Sequence, residues 1–295
     1  MNILVVGAES FIANHFCEKI KNESNYKLIK TSKKKKKKFI QLNLLNRNNN
    51  LDLLKNKKID CLIDFGWIGV FGKYRDSNIQ KNNITYTKNL IDLSKNFKIK
   101  KIISFGSQAE YGTNIKFPNE NSPAKPKTFY GKMKLKKLKL LSKYCKKNKI
   151  NFIWFRIFSS YGIKEKYNWL IPYLVKNLLL KNTVSITAGE QVCDYIYIDD
   201  LISAIILSIK NKKMKGVYNL GSSKGIKIKT IVKLILKILK IKKFDKIKFK
   251  RNRKKYIPEL VANTNKIKKL GWYPKISIEK GLKKVIKYEA KLKKR

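Results

Sequence analysis

The sequence predicts an α/β protein: a doubly wound parallel sheet with helices on both faces, followed by a smaller C-terminal lobe. Three observations carry this. Short apolar runs bounded by polar turns recur along the chain, and amphipathic helical stretches fall between them. After about Gly162 the pattern loosens into shorter elements punctuated by Pro172, Gly189, Gly221, Gly225, Pro258 and Pro274. The 295 residues, 43% of them hydrophobic, suffice for one large or two moderate cores.

The elements follow in order. Residues 3–6 form an uninterrupted apolar run, as a strand covered on both faces requires, and a helix over 11–21 comes directly after the turn at Gly7. Residues 27–30 read as the second strand; the six lysines at 33–38 cannot pack, which places them in an exposed loop. Strands at 61–65, 102–105 and 152–157 alternate with helices near 78–97 and 130–146. The run 195–198 reads as a further buried strand of the first lobe, with a helix at 200–208 after it, and helical patterns at 227–239 and 278–292 belong to the second lobe. The expected organisation is a first lobe of residues 1–162, with about 191–215 returning to it, and a second lobe of 163–190 and 216–295.

The formal net charge is +51, a number that suits a binder of nucleic acid or anionic membrane. Its distribution argues otherwise. The lysines are spread along the whole chain among abundant asparagine, isoleucine and tyrosine, as an A+T-rich genome writes wherever a surface position tolerates charge, and an arginine-rich segment interleaved with aromatics is missing. No specific nucleic-acid partner is expected. Cys17, Cys61, Cys145 and Cys193 have neither metal-ligand nor redox spacing and His15 is the sole histidine, so no metal is expected either. The chain opens on a strand-like run without a basic leader, and nowhere do eighteen apolar residues run uninterrupted, which predicts a cytoplasmic protein off the membrane.

Three groups of residues can carry chemistry. The first strand runs into Gly7-Ala8-Glu9-Ser10-Phe11-Ile12-Ala13 and at once into a helix, a turn whose N–H groups and positive helix end suit a pyrophosphate. At the end of the second strand stand Thr31, Ser32 and Lys33, hydroxyls and an ammonium where a carboxylate would select NAD, which points to NADP(H) ahead of NAD(H). Tyr130 and Lys134, four apart at a helix start, share one face, and the ammonium there can draw the phenol down from its usual value of about 10. Ser107, just past a strand, can hold a substrate oxygen beside that phenol. Each motif alone is common in such a chain; the three together favour catalysis.

These residues resemble an extended short-chain dehydrogenase/reductase of the NAD(P)-dependent epimerase/dehydratase family, with a Rossmann-type sheet. The resemblance covers nearly the whole chain. It implies that Gly7, Ser10, Phe11 and Ile12 touch the dinucleotide and that Asn43 and Leu44 lie beside the adenine. It further implies that Phe65, Gly66 and Trp67 form the loop over the cofactor, with Asn83 in the following helix, and that Phe158 faces the nicotinamide. Ser107, Tyr130 and Lys134 fall on the catalytic triad, with Tyr130 and Lys134 also on the cofactor. Ser107, Gln108, Trp169, Leu170 and Arg253 fall on substrate positions, Arg253 as a clamp on a pyrophosphate. The sequence also departs from the family. Ser10 and Ala13 replace glycines, Cys193 replaces an arginine, and Gln108-Ala109 stand where 4,6-dehydratases carry Asp-Glu.

The implied reaction is NADPH-dependent reduction of the C4 ketone of a nucleotide-linked 4-keto-6-deoxyhexose. A nucleotide-sugar 4-epimerase with retained NAD is the alternative, and a polyanion-binding or RNA-binding protein on the same fold the rival from another class. The implied assembly is a homodimer through the helices near 78–97 and 130–146.

Overall fold

In the computed structural model, which describes residues 1–21, 23–46, 51–113, 115–241, 247–250 and 259–293, the chain forms two compact units. Met1–Gly112, Pro123–Ile157 and Ile205–Tyr218 make the first. Thr113–Ser122, Phe158–Ala204 and Asn219–Arg295 make the second.

The first unit is built on strands β1 (Asn2–Val6), β2 (Lys27–Ser32), β3 (Ile40–Gln41), β4 (Cys61–Asp64), β5 (Lys101–Ser107) and β6 (Asn151–Ile157). Helices α1 (Phe11–Ile20), α2 (Asn82–Asn96) and α3 (Phe129–Lys147) connect them. The order is β3-β2-β1-β4-β5-β6, parallel at every pairing, so successive strands build outward in opposite directions from β1. Such a switch point is where open α/β sheets bind ligands, at the carboxyl ends of the strands. Both faces are covered. Leu4, Val6, Leu62 and Ile102 pack with Leu90 and Leu93 of α2 and Leu138 and Leu141 of α3, while their strand neighbours Ile3, Val5, Cys61 and Ile103 are equally buried facing the other way.

The second unit contains β7 (Ser159–Tyr161), α4 (Leu170–Leu179), β8 (Val184–Thr187) and β9 (Val192–Tyr197). Helix α5 (Ile198–Lys210) and strand β10 (Gly216–Leu220) carry the chain into the first unit, to which residues 205–218 belong, and back; β11 (Gly225–Lys227), α6 (Ile228–Ile238), β12 (Ile247–Lys250), β13 (Glu259–Leu260), α7 (Asn265–Lys268) and α8 (Ile278–Lys293) lie in the second unit. Here the structure corrects the sequence reading. The run at 195–198, expected in the first sheet, lies mostly in β9, which is central to a four-stranded sheet with β7, β11 and β13; the strand that completes the seven-stranded sheet beside β6 is β10. Asp194 anchors β9 in this place. Its buried carboxylate accepts the N–H groups of Ser222 (2.6 Å), Ser223 (3.0 Å) and Ala262 (3.0 Å), tying β9 to the loops beside it.

The lysine run at 33–38 is exposed, as expected. Lysine also occupies an unusual backbone position. Helices α2, α3, α4 and α6 each end with a left-handed lysine, namely Lys98 (φ 48°), Lys149 (φ 54°), Lys181 (φ 59°) and Lys240 (φ 58°). Each is followed by a 6→1 hydrogen bond back into the helix, from Ile99 to Ser94, Ile150 to Cys145, Asn182 to Asn177 and Ile241 to Leu236. Glycine ordinarily fills this position.

Candidate active site

Ser107 ends β5 and caps a short 3₁₀ turn: its hydroxyl accepts the Ala109 N–H (3.2 Å) and its own N–H donates to Glu110 (2.9 Å). Behind it lies a buried brace. Glu110 is paired with Arg156 (2.8 Å) and also accepts from the Trp154 indole (3.2 Å), while Arg156 donates to the Tyr111 hydroxyl (2.9 Å). A side chain at Gly106 would collide with Glu110 and Trp154, so the brace needs that glycine.

Tyr130 enters from the first turn of α3, where the Thr128 hydroxyl caps Gly131 (3.1 Å). A side chain at Gly131 would strike the Ala109 carbonyl, so the helix can approach the 3₁₀ turn only with glycine there. That approach brings the Tyr130 hydroxyl beside Ser107, near enough for the serine to draw the phenol pKa down. Lys134, one turn further on, donates to the Phe105 carbonyl (2.8 Å) and lies 3.9 Å over the Trp67 ring. The structure thus brings Ser107, Tyr130, Lys134 and Trp67 together; Trp67 meets Tyr130 edge-on at 5.6 Å.

The electrostatics differ from the sequence reading at one point. Burial raises the Tyr130 phenol, and the cation that opposes this is Arg75, whose guanidinium lies 4.3 Å from the ring centre, with Ser107 helping. Lys134 does not play that part. Burial, with repulsion from Lys137, holds its own pKa well below the ordinary lysine value. Lys137 is itself buried in an ion pair with Asp64 (2.5 Å), and Asp64 also accepts from Tyr86 (2.6 Å) and Ser104 (2.8 Å). Although burial pushes the Asp64 carboxyl up, Lys137 and these hydrogen bonds outweigh it and hold it low. Arg75, Asp64 and Lys137 have no assigned role in the sequence reading; the spacing of Tyr130, Lys134 and Lys137 along one helix face is the signal that points to Lys137.

The cofactor positions sort as follows. Gly7 is left-handed (φ 71°), and a side chain there would lie 3.0 Å from the Gly66 nitrogen, so the turn after β1 and the loop after β4 meet backbone to backbone. Ser10 caps α1 by accepting from Ala13 (3.4 Å), and the N–H groups of Phe11 and Ile12 in the first turn have no acceptor within the helix. Phe65 stacks on Phe105 at 4.6 Å. This bare turn at a helix N-terminus, at the sheet's switch point, fits a dinucleotide pyrophosphate. Five expected residues make contacts within the protein. Asn83, 0% exposed, grips the loop after β4 through both the N–H and the carbonyl of Ile68 (2.9 and 3.1 Å), so it positions that loop rather than facing a ligand. Leu44 is 2% exposed and packs in the core, and Asn43 turns back on the Leu45 N–H (3.2 Å). The Thr31 hydroxyl faces inward to the Val5 carbonyl (3.2 Å), and that of Ser32 donates to Glu9; Lys33 is exposed.

On the substrate side, the Gln108 side-chain oxygen is buried without a partner next to Ser107. In the second unit, Trp169 and Leu170 line a pocket of about 560 Å³ with Tyr167, Tyr173, Ile186 and Gln191. Phe158 is buried in that unit, its N–H on the Leu220 carbonyl (2.9 Å). Arg253 lies outside the described residues. Cys193 is half-buried in β9, its thiol pushed up to about 11 by burial. Among the described residues no three His, Cys, Asp or Glu side chains are grouped to hold a metal, and no helix is long and apolar enough to cross a membrane.

A glycine turn on a parallel sheet beside a Ser, Tyr and Lys set defines a dinucleotide-dependent oxidoreductase site. The sequence profile of the NAD dependent epimerase/dehydratase family matches residues 3–221, and the chain belongs to that family. An uncharacterised protein of Methanocaldococcus jannaschii is 28% identical over 96% of this chain and 94% of its own length. The CDP-abequose synthase of Salmonella muenchen is 34% identical over 46% of this chain and 47% of its own. Among solved structures, the UDP-glucuronic acid 4-epimerase of Bacillus cereus, in complex with UDP-glucuronic acid and NAD, superposes with a TM-score of 0.87 at 25% identity, covering 99% of this chain and 100% of the other.

Proposed function

We propose that the protein reduces the C4 ketone of a nucleotide-linked 4-keto-6-deoxyhexose with NAD(P)H. The observation that carries this reading is the hydroxyl pair of Ser107 and Tyr130, flanked by Gln108 and Ala109 in place of an acid and a base. Removing water from a hexose needs such groups beside the hydroxyl, whereas reducing a ketone needs only a proton donor at the developing alkoxide. The similarity to a CDP-abequose synthase supports a nucleotide-linked sugar as substrate.

Bound in the turn after β1, the dinucleotide supplies the hydride. The protein's part is the proton and the geometry. Tyr130 Oη gives its proton to the C4 oxygen, and burial, which raises the phenol, keeps that proton in place at neutral pH until the alkoxide develops. Ser107 Oγ, oriented by the Ala109 N–H, holds that oxygen in place. Lys134 stands one helix turn away to hold the nicotinamide ribose. The pocket at Trp169 and Tyr173, aromatic with buried acceptors at Ser185 and Gln191, suits the base of the nucleotide. A homodimer through α2 and α3 belongs to the same proposal, and sedimentation velocity tests it.

The test is turnover of NAD(P)H with CDP- and dTDP-linked 4-keto-6-deoxyglucose. Tyr130→Phe is expected to lower kcat by at least about a thousand-fold while leaving the dinucleotide dissociation constant within about two-fold. A variant with unchanged turnover removes Tyr130 from the mechanism. The similarity to a 4-epimerase supports a second reading, in which the same residues oxidise and re-reduce C4. Stoichiometric consumption of NAD(P)H selects the reductase; interconversion of two sugars with cofactor retained selects the epimerase.

A further inference from the structure

The end of β2 carries no acidic residue in the sequence, yet the structure places a carboxylate there. It comes from Glu9, in the middle of the glycine turn. The Ala8 N–H donates to the Thr31 carbonyl (3.2 Å) and holds that turn against the tip of β2. One Glu9 oxygen accepts the Ser32 hydroxyl and the other pairs with Lys36. The Ser32 hydroxyl also accepts the Lys34 N–H (3.1 Å), which fixes its direction. Both strand-end hydroxyls are thereby occupied, Thr31 by the Val5 carbonyl and Ser32 by Glu9, each residue being only 1% exposed. The Glu9 side chain is 33% exposed, so the carboxylate remains open to a ligand lying over the turn.

A carboxylate at this place accepts hydrogen bonds from the vicinal hydroxyls of an adenosine ribose and repels a phosphate esterified to one of them. Without it, Ser32 and the lysines at 34 and 36 form a hydroxyl-and-ammonium set that favours the phosphate. Glu9 occupies both Ser32 and Lys36, so one side chain decides between the two outcomes. Lys36 and Ser32 also draw its carboxyl below the ordinary value, which keeps it charged.

We propose that Glu9 is the cofactor-selecting residue: held at the tip of β2 by Ser32, its carboxylate takes the adenosine ribose diol and excludes a 2′-phosphate, so the protein prefers NAD(H) to NADP(H). This rests on the reading that the turn after β1 binds a nicotinamide dinucleotide, and it reverses the preference drawn from Thr31, Ser32 and Lys33.

Isothermal titration of the purified full chain with NAD⁺ and with NADP⁺, no sugar present, tests it. The wild type is expected to bind NAD⁺ at least about ten-fold more tightly, and Glu9→Gln to move the ratio of the two dissociation constants at least about ten-fold toward NADP⁺, while Glu9→Asp keeps the wild-type order. An unchanged melting temperature shows that the variants are folded. A wild type that prefers NADP⁺, or a Glu9→Gln ratio within about two-fold of wild type, overturns the role of Glu9 while leaving the reductase proposal standing. A protein that binds neither dinucleotide overturns the cofactor reading and this proposal together. Failure to reduce a 4-keto sugar, with the Glu9-dependent ratio intact, sinks only the reductase.

Discussion

Arg75 lies face-on to Tyr130, 4.3 Å from its ring centre, and at the scale of single residues it is the strongest addition the structure makes to the proposed catalytic set. Its consequence has a definite sign. Burial raises the Tyr130 phenol, and Arg75 and Ser107 pull it back, so removing the guanidinium leaves the phenol higher still. In the oxidative direction the ionised phenol is the base. Arg75→Ala therefore moves the acidic limb of kcat/KM to higher pH, with a loss of about three- to ten-fold at pH 7.5, while Arg75→Lys keeps the charge and moves it less. Superimposable pH profiles for wild type and Arg75→Ala would remove the residue from the proton-transfer step. Sequence reasoning singled out Ser107, Tyr130 and Lys134, which the structure brings together, because the last two share a helix face and the serine follows a strand. Arg75 and Glu9 lie in stretches the sequence reading singled out, the one after Trp67 and the glycine turn, but neither was given a role of its own, because each reaches its partner only after separate loops have packed.

At the scale of elements, α3 is held to the sheet by a buried ion pair as well as by leucines. Lys137 of α3 and Asp64 of β4 are 73 residues apart in the chain, with side chains 1% and 0% exposed. Lys137 also lies 4.9 Å from the Tyr86 ring and 5.6 Å from that of Trp67, so it supports the aromatic wall on which Lys134 rests. Lys137→Met strips the buried Asp64 of its counter-charge, and a loss of about 3–5 kcal/mol is expected by urea unfolding. Asp64→Leu combined with Lys137→Met removes both charges and should recover most of that loss; a double variant no better than the single one would show that the pair is not what Lys137→Met breaks. The pair explains part of what the sequence concealed. Strands β1, β4, β5 and β6 and helices α1 and α3 were legible because their apolar periodicity follows from covering both faces of a sheet. A lysine and an aspartate in the same core defeat that rule. Strand β10 was missed for another reason: Gly216 and Asn219 interrupt its apolar run, while β9 carries a stronger pattern into the second unit's sheet.

For the whole molecule the governing quantity is charge: 70 basic against 19 acidic side chains repel one another over distances that salt shortens. The melting temperature is expected to rise by at least about 3 °C between 20 and 200 mM NaCl at pH 7, read by differential scanning fluorimetry; a flat curve would mean that the lysines are too dispersed to matter. The lysines that close α2, α3, α4 and α6 add a cost of a different kind, since a left-handed residue with a side chain is strained by about 1–2 kcal/mol and glycine is not. Glycine loses part of this advantage through its freer unfolded chain, leaving a gain of about 0.5–1 kcal/mol at each site. Changing Lys98, Lys149, Lys181 and Lys240 together to glycine should therefore stabilise the protein by about 2–4 kcal/mol, measured by urea unfolding, and no gain would show that the helix ends relax at no cost. These four positions also bear on how such a sequence arises. Every lysine codon begins with two adenines and every glycine codon with two guanines, so no single-base change converts one into the other, and a genome drifting toward adenine can strand a folded protein one forbidden step from the residue its backbone prefers.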